Sequence, residues 1–197
     1  MLATFMVVLD SSVANVALPN IAGNLSATID ESTWILTSYL VSNAIVLPAS
    51  GWMASRIGRK RLLMLSIGMF VVSSLLCGVS VSMPMLILAR VLQGAGGGCM
   101  QPIAQAVLLE SFPREKRGAA MAAYGMGVVV APIIGPALGG WITDSYSWRW
   151  IFYINLPIGA LALFMVNQFV EDPPYIRANL KRAIDYAGFL AMALWLG

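Results

Sequence analysis

Residues 5–19 read FMVVLDSSVANVALP, an apolar run with a carboxylate, Asp10, near its middle and Asn15 five residues further on. A hydrophobic helix that carries an acid has either a watery or a paired place for it, because a charge at a bilayer centre costs at least about 2.5–3.5 kcal/mol. Whether this run lies in lipid decides the fold. The rest of the chain answers that question. Of its 197 residues, 59% are hydrophobic and 11% are Asp, Glu, Lys or Arg, with a mean hydropathy of +0.79. Soluble domains carry about 25% charged residues. A soluble core of this length has no room for so much apolar surface. The solvent implied is lipid, and each crossing takes about 20 apolar residues.

Apolar stretches run over about 1–21, 34–55, 62–81, 84–109, 118–142 and 150–170, and another begins near Asp185. The expectation is an all-α polytopic membrane protein. Residues 1–170 form a six-helix transmembrane bundle, 171–184 a cytoplasmic linker, and 185–197 the start of a truncated seventh helix. The first stretch has no basic leader and no small-residue cleavage site, so it reads as a span and not as a signal peptide. Thirteen residues of helix rise only about 20 Å, short of a ~30 Å core, so the chain reads as part of a larger protein.

Charge sets the orientation. Arg56, Arg59, Lys60 and Arg61 follow span two; Arg114, Lys116 and Arg117 follow span four; Arg177, Lys181 and Arg182 follow span six. These are ten of the twelve basic residues, and alternation puts them all on one side. Basic loops stay cytoplasmic, so the amino terminus is expected there too. GWMASRIGRK from Gly51 and GWITDSYSWR from Gly140 lie 89 residues apart on opposite sides of the membrane. Such an echo fits two inverted three-helix repeats, a common transporter plan.

Two ionisable residues, Asp10 and Arg90, remain inside spans. Each is either a fixed strut or a working charge facing a cavity. Arg90, Gln93 and Gln101 fall near one helix face and, with Asn15, are expected to line that cavity. Gly94 and Gly98, like Gly135 and Gly139, have the small-xxx-small spacing that lets backbones approach. Pro132 and Pro136 remove backbone donors from span five and are expected to bend it. Catalytic and metal chemistry find little here: the chain has no His, only two Cys, and no phosphate-binding loop. Nothing in the placement of the basic residues suggests a nucleic-acid surface, and no enzyme activity is expected.

The same stretches resemble one known family. GWMASRIGRKRL is similar to the loop motif of the major facilitator superfamily, and LARVLQGAGGG to its span-four motif. GMGVVVAPIIGPALGG resembles the span-five antiporter motif, found in exporters and generally absent from uptake symporters. LDSSVANVALPNIAGNL and WRWIFYINLPIG are similar to signatures of the fourteen-helix drug:proton antiporters. The resemblance covers essentially the whole chain. One departure stands out: Ser55 occupies the place of a usual acid that joins a charge network in the family.

That resemblance implies an antiporter that exports hydrophobic drugs or toxic compounds across the cytoplasmic (inner) membrane, driven by the proton gradient without a cofactor. Asp10 would bind the proton and Arg90 would tune it. Gly51, Arg56, Gly58, Arg59 and Lys60 would gate the cytoplasmic side. Gly125, Pro132, Gly135, Pro136, Gly139 and Gly140 would form a bending, sealing helix. The implied partners are small hydrophobic substrates, protons, membrane lipid and the carboxy-terminal half of the transporter. Docking of a periplasmic membrane fusion protein and an outer-membrane channel is left open. So are two other functions: a proton-coupled uptake symporter of the same fold, and a membrane scaffold subunit with no transport cycle.

Overall fold

The computed structural model describes residues 1–170. The expected linker at 171–184 and seventh helix at 185–197 lie outside the described residues. Within them every regular element is helical: α1 (Leu2–Asn24), α2 (Ile29–Val46), α3 (Ser50–Ile57), α4 (Arg59–Gly78), α5 (Met83–Ser111), α6 (Arg117–Ser145), α7 (Trp150–Tyr153) and α8 (Asn155–Phe169). A single 3-10 turn, Leu47–Ala49, joins α2 to α3, so the two make one 29-residue span. α7 and α8 likewise continue one another as a 20-residue span. Five segments are long and apolar enough to cross a membrane. α5 has the length, 29 residues or about 43 Å, but Arg90, its glutamines and its glycines dilute its apolarity.

Helix ends differ most from the hydropathy reading where polar residues start a helix. Span two begins at Ile29, not near 34. Thr28 and Glu31 form a reciprocal cap: Glu31 N–H donates to Thr28 Oγ1 (3.2 Å) and Thr28 N–H donates to Glu31 Oε2 (2.8 Å). The polar run TIDEST is therefore a helix start, which a hydropathy window mistakes for loop. At the other end of that span, Gly58 closes α3 and opens α4 at φ 93°, a conformation that a side chain strongly disfavours.

The helices pack in pairs that obey the inverted repeat. α1 lies on α6, and α5 lies on α2; α4 packs on α5, and α8 on α1. Exchanging spans one, two and three with four, five and six maps each pair onto its partner. The second spans of the two halves, Ile29–Ile57 and Arg114–Ser145, are 29 and 32 residues long.

Side-chain ties gather alternate ends of the helices. Arg59 pairs with Glu110, and Lys60 Nζ donates to Asn167 O (2.7 Å), joining the ends of α4, α5 and α8. At the opposite end, Arg149 Nη2 donates to Ser80 O (2.7 Å) and its guanidinium lies 4.3 Å from the Trp148 ring centroid. Leu40, Val72, Leu88, Ile133 and Phe164 are exposed on the outer faces, as lipid-facing residues are. Tyr146, Trp141 and Trp150 cluster at the Arg149 end, where aromatic rings suit a membrane–water boundary. The described chain is a multi-pass membrane bundle.

Candidate functional site

Two apolar clusters fill the bundle. One holds Met6, Leu62, Ile67, Phe70, Met100 and Ile103 towards the Gly58 end. The other holds Val13, Ile21, Leu86, Trp148 and Phe152 towards the Arg149 end. Between them sits a dry polar knot. Asp10 comes from the middle of α1 and is 2% exposed; Arg90 and Gln93, one turn apart on α5, and Asn155, first residue of α8, are wholly buried.

The carboxylate is saturated with donors. Asp10 Oδ2 accepts from Arg90 Nη1 at 2.6 Å. Oδ1 accepts from Asn155 Nδ2 at 2.7 Å and from Gln93 Nε2 at 3.1 Å. Arg90 is held in turn. Its Nη1 donates to Gln93 Oε1 (2.7 Å), its Nε donates to Ile35 O of α2 (3.2 Å), and its guanidinium lies 4.5 Å from the Tyr39 ring centroid and 5.6 Å from that of Phe152. Ser74 of α4 completes the knot. Its Oγ donates to Phe152 O (2.9 Å) and accepts from Asn155 Nδ2 (3.0 Å) and Gln93 Nε2 (3.2 Å). Thus α1, α2, α4, α5 and α8 all meet at one ion pair. Removing one partner of such a pair strands a buried charge and costs about 3–5 kcal/mol.

The depths of Asp10 and Arg90 along their helices suggest a contact in the sequence, and in the bundle that contact is direct. Gln93 does not line an open cavity; it is an integral part of the knot, because the turn between Arg90 and Gln93 aims both amide and guanidinium at Asp10. Asn15 is exposed on another face of α1, and Gln101 is half-buried two turns beyond Gln93. Neither joins the ion pair. A smaller polar chain runs nearer the Gly58 end, where Gln105 donates to Tyr124 (3.5 Å) and Tyr124 donates to Thr4 (3.2 Å).

The loop residues divide similarly. Arg59 and Lys60 tie helices together, as described, while Arg56 lies over the Trp52 ring at 5.2 Å. Gly51 faces open space. Ser55, standing where the resemblance leads one to expect an acid, turns its hydroxyl back onto Trp52 O (2.7 Å). On α6, Gly135 and Gly139 press against Ser12 and Val13 of α1. Gly125 and Gly140 meet nothing within 4 Å, and Pro132 and Pro136 are exposed. Of the six residues of that motif, Gly135 and Gly139 make the contact with α1.

Sequence reading missed Asn155 and Ser74. Asn155 had a signal, being a lone amide in the apolar run WIFYINLPIG, of the same kind that drew attention to Asp10. Ser74 had none, since serine is common in membrane helices.

Comparison with known proteins gives the family and the fold. The EmrB multidrug export protein of Haemophilus influenzae is 55% identical over 196 residues, covering 100% of this chain and 38% of that protein. The EmrB multidrug export protein of Escherichia coli K12 is 45% identical over 196 residues, with the same coverage. The fatty acid resistance protein FarB of Neisseria gonorrhoeae is 41% identical over 196 residues, again covering 38% of its length. The chain thus spans 38% of the length of these relatives. The xylose transporter XylE from E. coli, in a partially occluded inward open conformation, superposes with a TM-score of 0.80 at 15% identity, over 99% of this chain and 52% of that one. At that identity the likeness is one of fold. Residues 1–195 match the Major Facilitator Superfamily, and with its inverted three-helix repeats and six-span bundle the chain belongs to that superfamily.

Proposed function

We propose that this bundle is the proton-coupling part of an antiporter that exports hydrophobic or toxic compounds. The observation that supports this most is the Asp10 carboxylate, buried in mid-bundle and gripped by Arg90, Gln93 and Asn155. Arg90 compensates the buried charge of a carboxylate so held, and parting the pair would leave that charge uncompensated inside the bundle. A helix shift that parts α1 from α5 thereby links proton uptake to conformation, and substrate supplies the differential contacts that bias the shift. The relatives named multidrug export proteins support export over uptake. The energy source is the proton gradient, with no cofactor and no catalytic step. The proposed setting is the cytoplasmic (inner) membrane with the amino terminus in the cytoplasm, and a periplasmic fusion protein and outer-membrane channel as candidate partners of the whole protein.

The test is drug-induced proton release and dye accumulation in inside-out vesicles carrying the whole protein. Asp10→Asn should abolish proton-driven accumulation of ethidium while its binding stays within about threefold, since the amide keeps most of the packing but holds no exchangeable proton. Proton exchange at the wild-type ratio in the Asn variant would make Asp10 a strut and return the scaffold or symporter alternatives. Orientation is tested separately. Cys77 and Cys99 are buried and leave undisturbed the signal of a cysteine placed in residues 59–61; it should label from the cytoplasm only, and one at Asp30 only from outside. Labelling of both from one side would defeat the assignment.

A further inference from the structure

Asn155 and Gln93 both donate to Asp10, but they are held differently. Gln93 is bonded at both ends of its amide: Nε2 to Asp10 and Ser74, and Oε1 to Arg90 and, at 3.7 Å, to the Cys77 thiol. It cannot turn over without breaking its bond to Arg90. Asn155 is bonded at one end only. Its Nδ2 reaches Asp10 (2.7 Å) and Ser74 (3.0 Å), while its Oδ1 is buried with no hydrogen-bond partner. A buried amide oxygen left without a donor is unusual and calls for a reason.

The chemistry of Asp10 supplies one. An ionised carboxylate only accepts hydrogen bonds, so the NH2 end of Asn155 has to face it. A protonated carboxyl must donate its O–H to something. Around Asp10, the Arg90 guanidinium offers only donors, Gln93 Oε1 is engaged by Arg90, and the Ser74 hydroxyl is directed at Phe152 O. Asn155 Oδ1 is a buried acceptor without a partner on a side chain that already bonds Asp10; the Tyr39 hydroxyl, the other buried acceptor without one here, has no bond to the carboxylate.

We propose that Asn155 is a positioning residue that reads the protonation state of Asp10: its NH2 group donates to the carboxylate, and after a half-turn of the amide its carbonyl oxygen accepts from the protonated acid. The proposal rests on Asp10 being the proton site. The half-turn forfeits no bond at the far end of the amide, because none exists there. Ser74 follows by rotating its hydroxyl from Phe152 O to the incoming Asn155 oxygen. The proton comes from water and returns to it; Asn155 neither gains nor loses one. By this exchange Asp10 keeps a partner in both states, and α8, which carries Asn155, is coupled to the charge on α1.

The surrounding groups leave Asn155 this role. The other charged or titratable residues facing Asp10 are Arg90 on α5, Cys77 on α4 and Tyr39 on α2. α1 has no other charged residue, α8 has none, and α6 carries Arg117 and Asp144 only at its ends, with Tyr124 bonded to Thr4. Tyr153 of α7 packs its ring on Gly78.

The experiment is pH-difference infrared spectroscopy of the whole protein, with isotope-labelled asparagine, in wild type, Asn155→Ser, Asn155→Leu and Asp10→Asn. Wild type should show the Asp10 carboxyl signal together with an asparagine amide carbonyl band that moves to lower frequency on protonation. The amide band should vanish in Asn155→Ser and in Asp10→Asn. Coupled ethidium export should fall about tenfold or more in Asn155→Leu, which neither donates nor accepts, with ethidium binding within about twofold. It should stay within about threefold in Asn155→Ser, whose hydroxyl does both. An Asp10 carboxyl signal without the amide band overturns the role of Asn155 alone, as does full export by Asn155→Leu. Absence of any Asp10 signal overturns both this proposal and the assignment of the proton site. Should the Leu variant fail to fold, the wild-type and Ser spectra still decide.

Discussion

The inverted repeat makes two helix seams equivalent, α1 on α6 and α5 on α2, yet they are built for different mechanics. Both use glycines four residues apart. At the α2–α5 seam, a Cβ at Gly94 would lie 2.3 Å from Tyr39 O, and one at Gly98 would lie 2.7 Å from Asn43 O. Backbone meets backbone there. The seam is also pinned: Ser42 Oγ donates to Val91 O (2.6 Å), and Arg90 Nε donates to Ile35 O (3.2 Å). At the α1–α6 seam, Gly135 meets the Ser12 side chain and Gly139 meets Val13. Among the described residues, one side-chain hydrogen bond crosses this seam, from Tyr124 to Thr4 near one end. Van der Waals contact holds the rest. In lipid, where burial of apolar surface does not drive helices together, directional bonds decide which seam resists sliding. The charged knot and the pinned seam share α5, so α5 and α2 form the fixed side of the bundle and α6 the freer one.

The sharpest way to break this comparison is a methyl group on each seam. Gly94→Ala has no flexible neighbour to displace, since the obstructing atom is a helix carbonyl. It should cost about 3 kcal/mol, the upper end of overpacking losses, and be seen as a low folded yield and a large fall in Tm in detergent. Gly135→Ala meets Ser12, a side chain, so a cost of about 1–2 kcal/mol is expected, with normal membrane insertion and impaired export. Ser12→Gly should restore both stability and export to Gly135→Ala, because it removes the atoms in the way. Equal Tm losses for the two alanines, or no rescue by Ser12→Gly, would show the seams to be mechanically alike.

How legible these seams were in the sequence follows from what glycine spacing encodes. The pairs Gly94/Gly98 and Gly135/Gly139 announce close approach, and both pairs make it. Spacing does not say which helix approaches, nor whether the opposing atom is a carbonyl or a side chain. The spans themselves were readable because lipid demands about 20 apolar residues per crossing, and alternation brings the start of α4 to the ends of α5 and α8, where Arg59 pairs with Glu110 and Lys60 bonds Asn167. Asp10 and Arg90 stood out as two charges inside spans, each either a strut or a charge facing a cavity, and here they pair directly. Gln93 reads from the sequence as a cavity residue and sits here within the knot, because helical periodicity gives a face and not what covers it. Asn155 joins the knot from 145 positions away, a separation that no local pattern records.

The smallest expected effect isolates the pin itself. Ser42→Ala removes a donor and leaves no orphan: Val91 O keeps its own helix hydrogen bond, and the alanine methyl fits where the serine Cβ already stood. Interhelical hydrogen bonds in membranes contribute about 0.6 kcal/mol on average and about 1.7 at most. A Tm change corresponding to about 0.6 kcal/mol is expected, several times less than for Gly94→Ala, and Tyr124→Phe should behave similarly at the other seam. The informative quantity is the coupling between the pin and the steric contact. Ser42 Cβ would lie 3.0 Å from the Cβ added at Gly94, so the two sites touch and their effects need not add. If the pin holds the helices at that distance, Ser42→Ala lets α2 back away, and the double variant Ser42→Ala/Gly94→Ala should lose less stability than the sum of the singles. Strict additivity would mean that Arg90 and packing alone fix the seam, and that Ser42 merely follows.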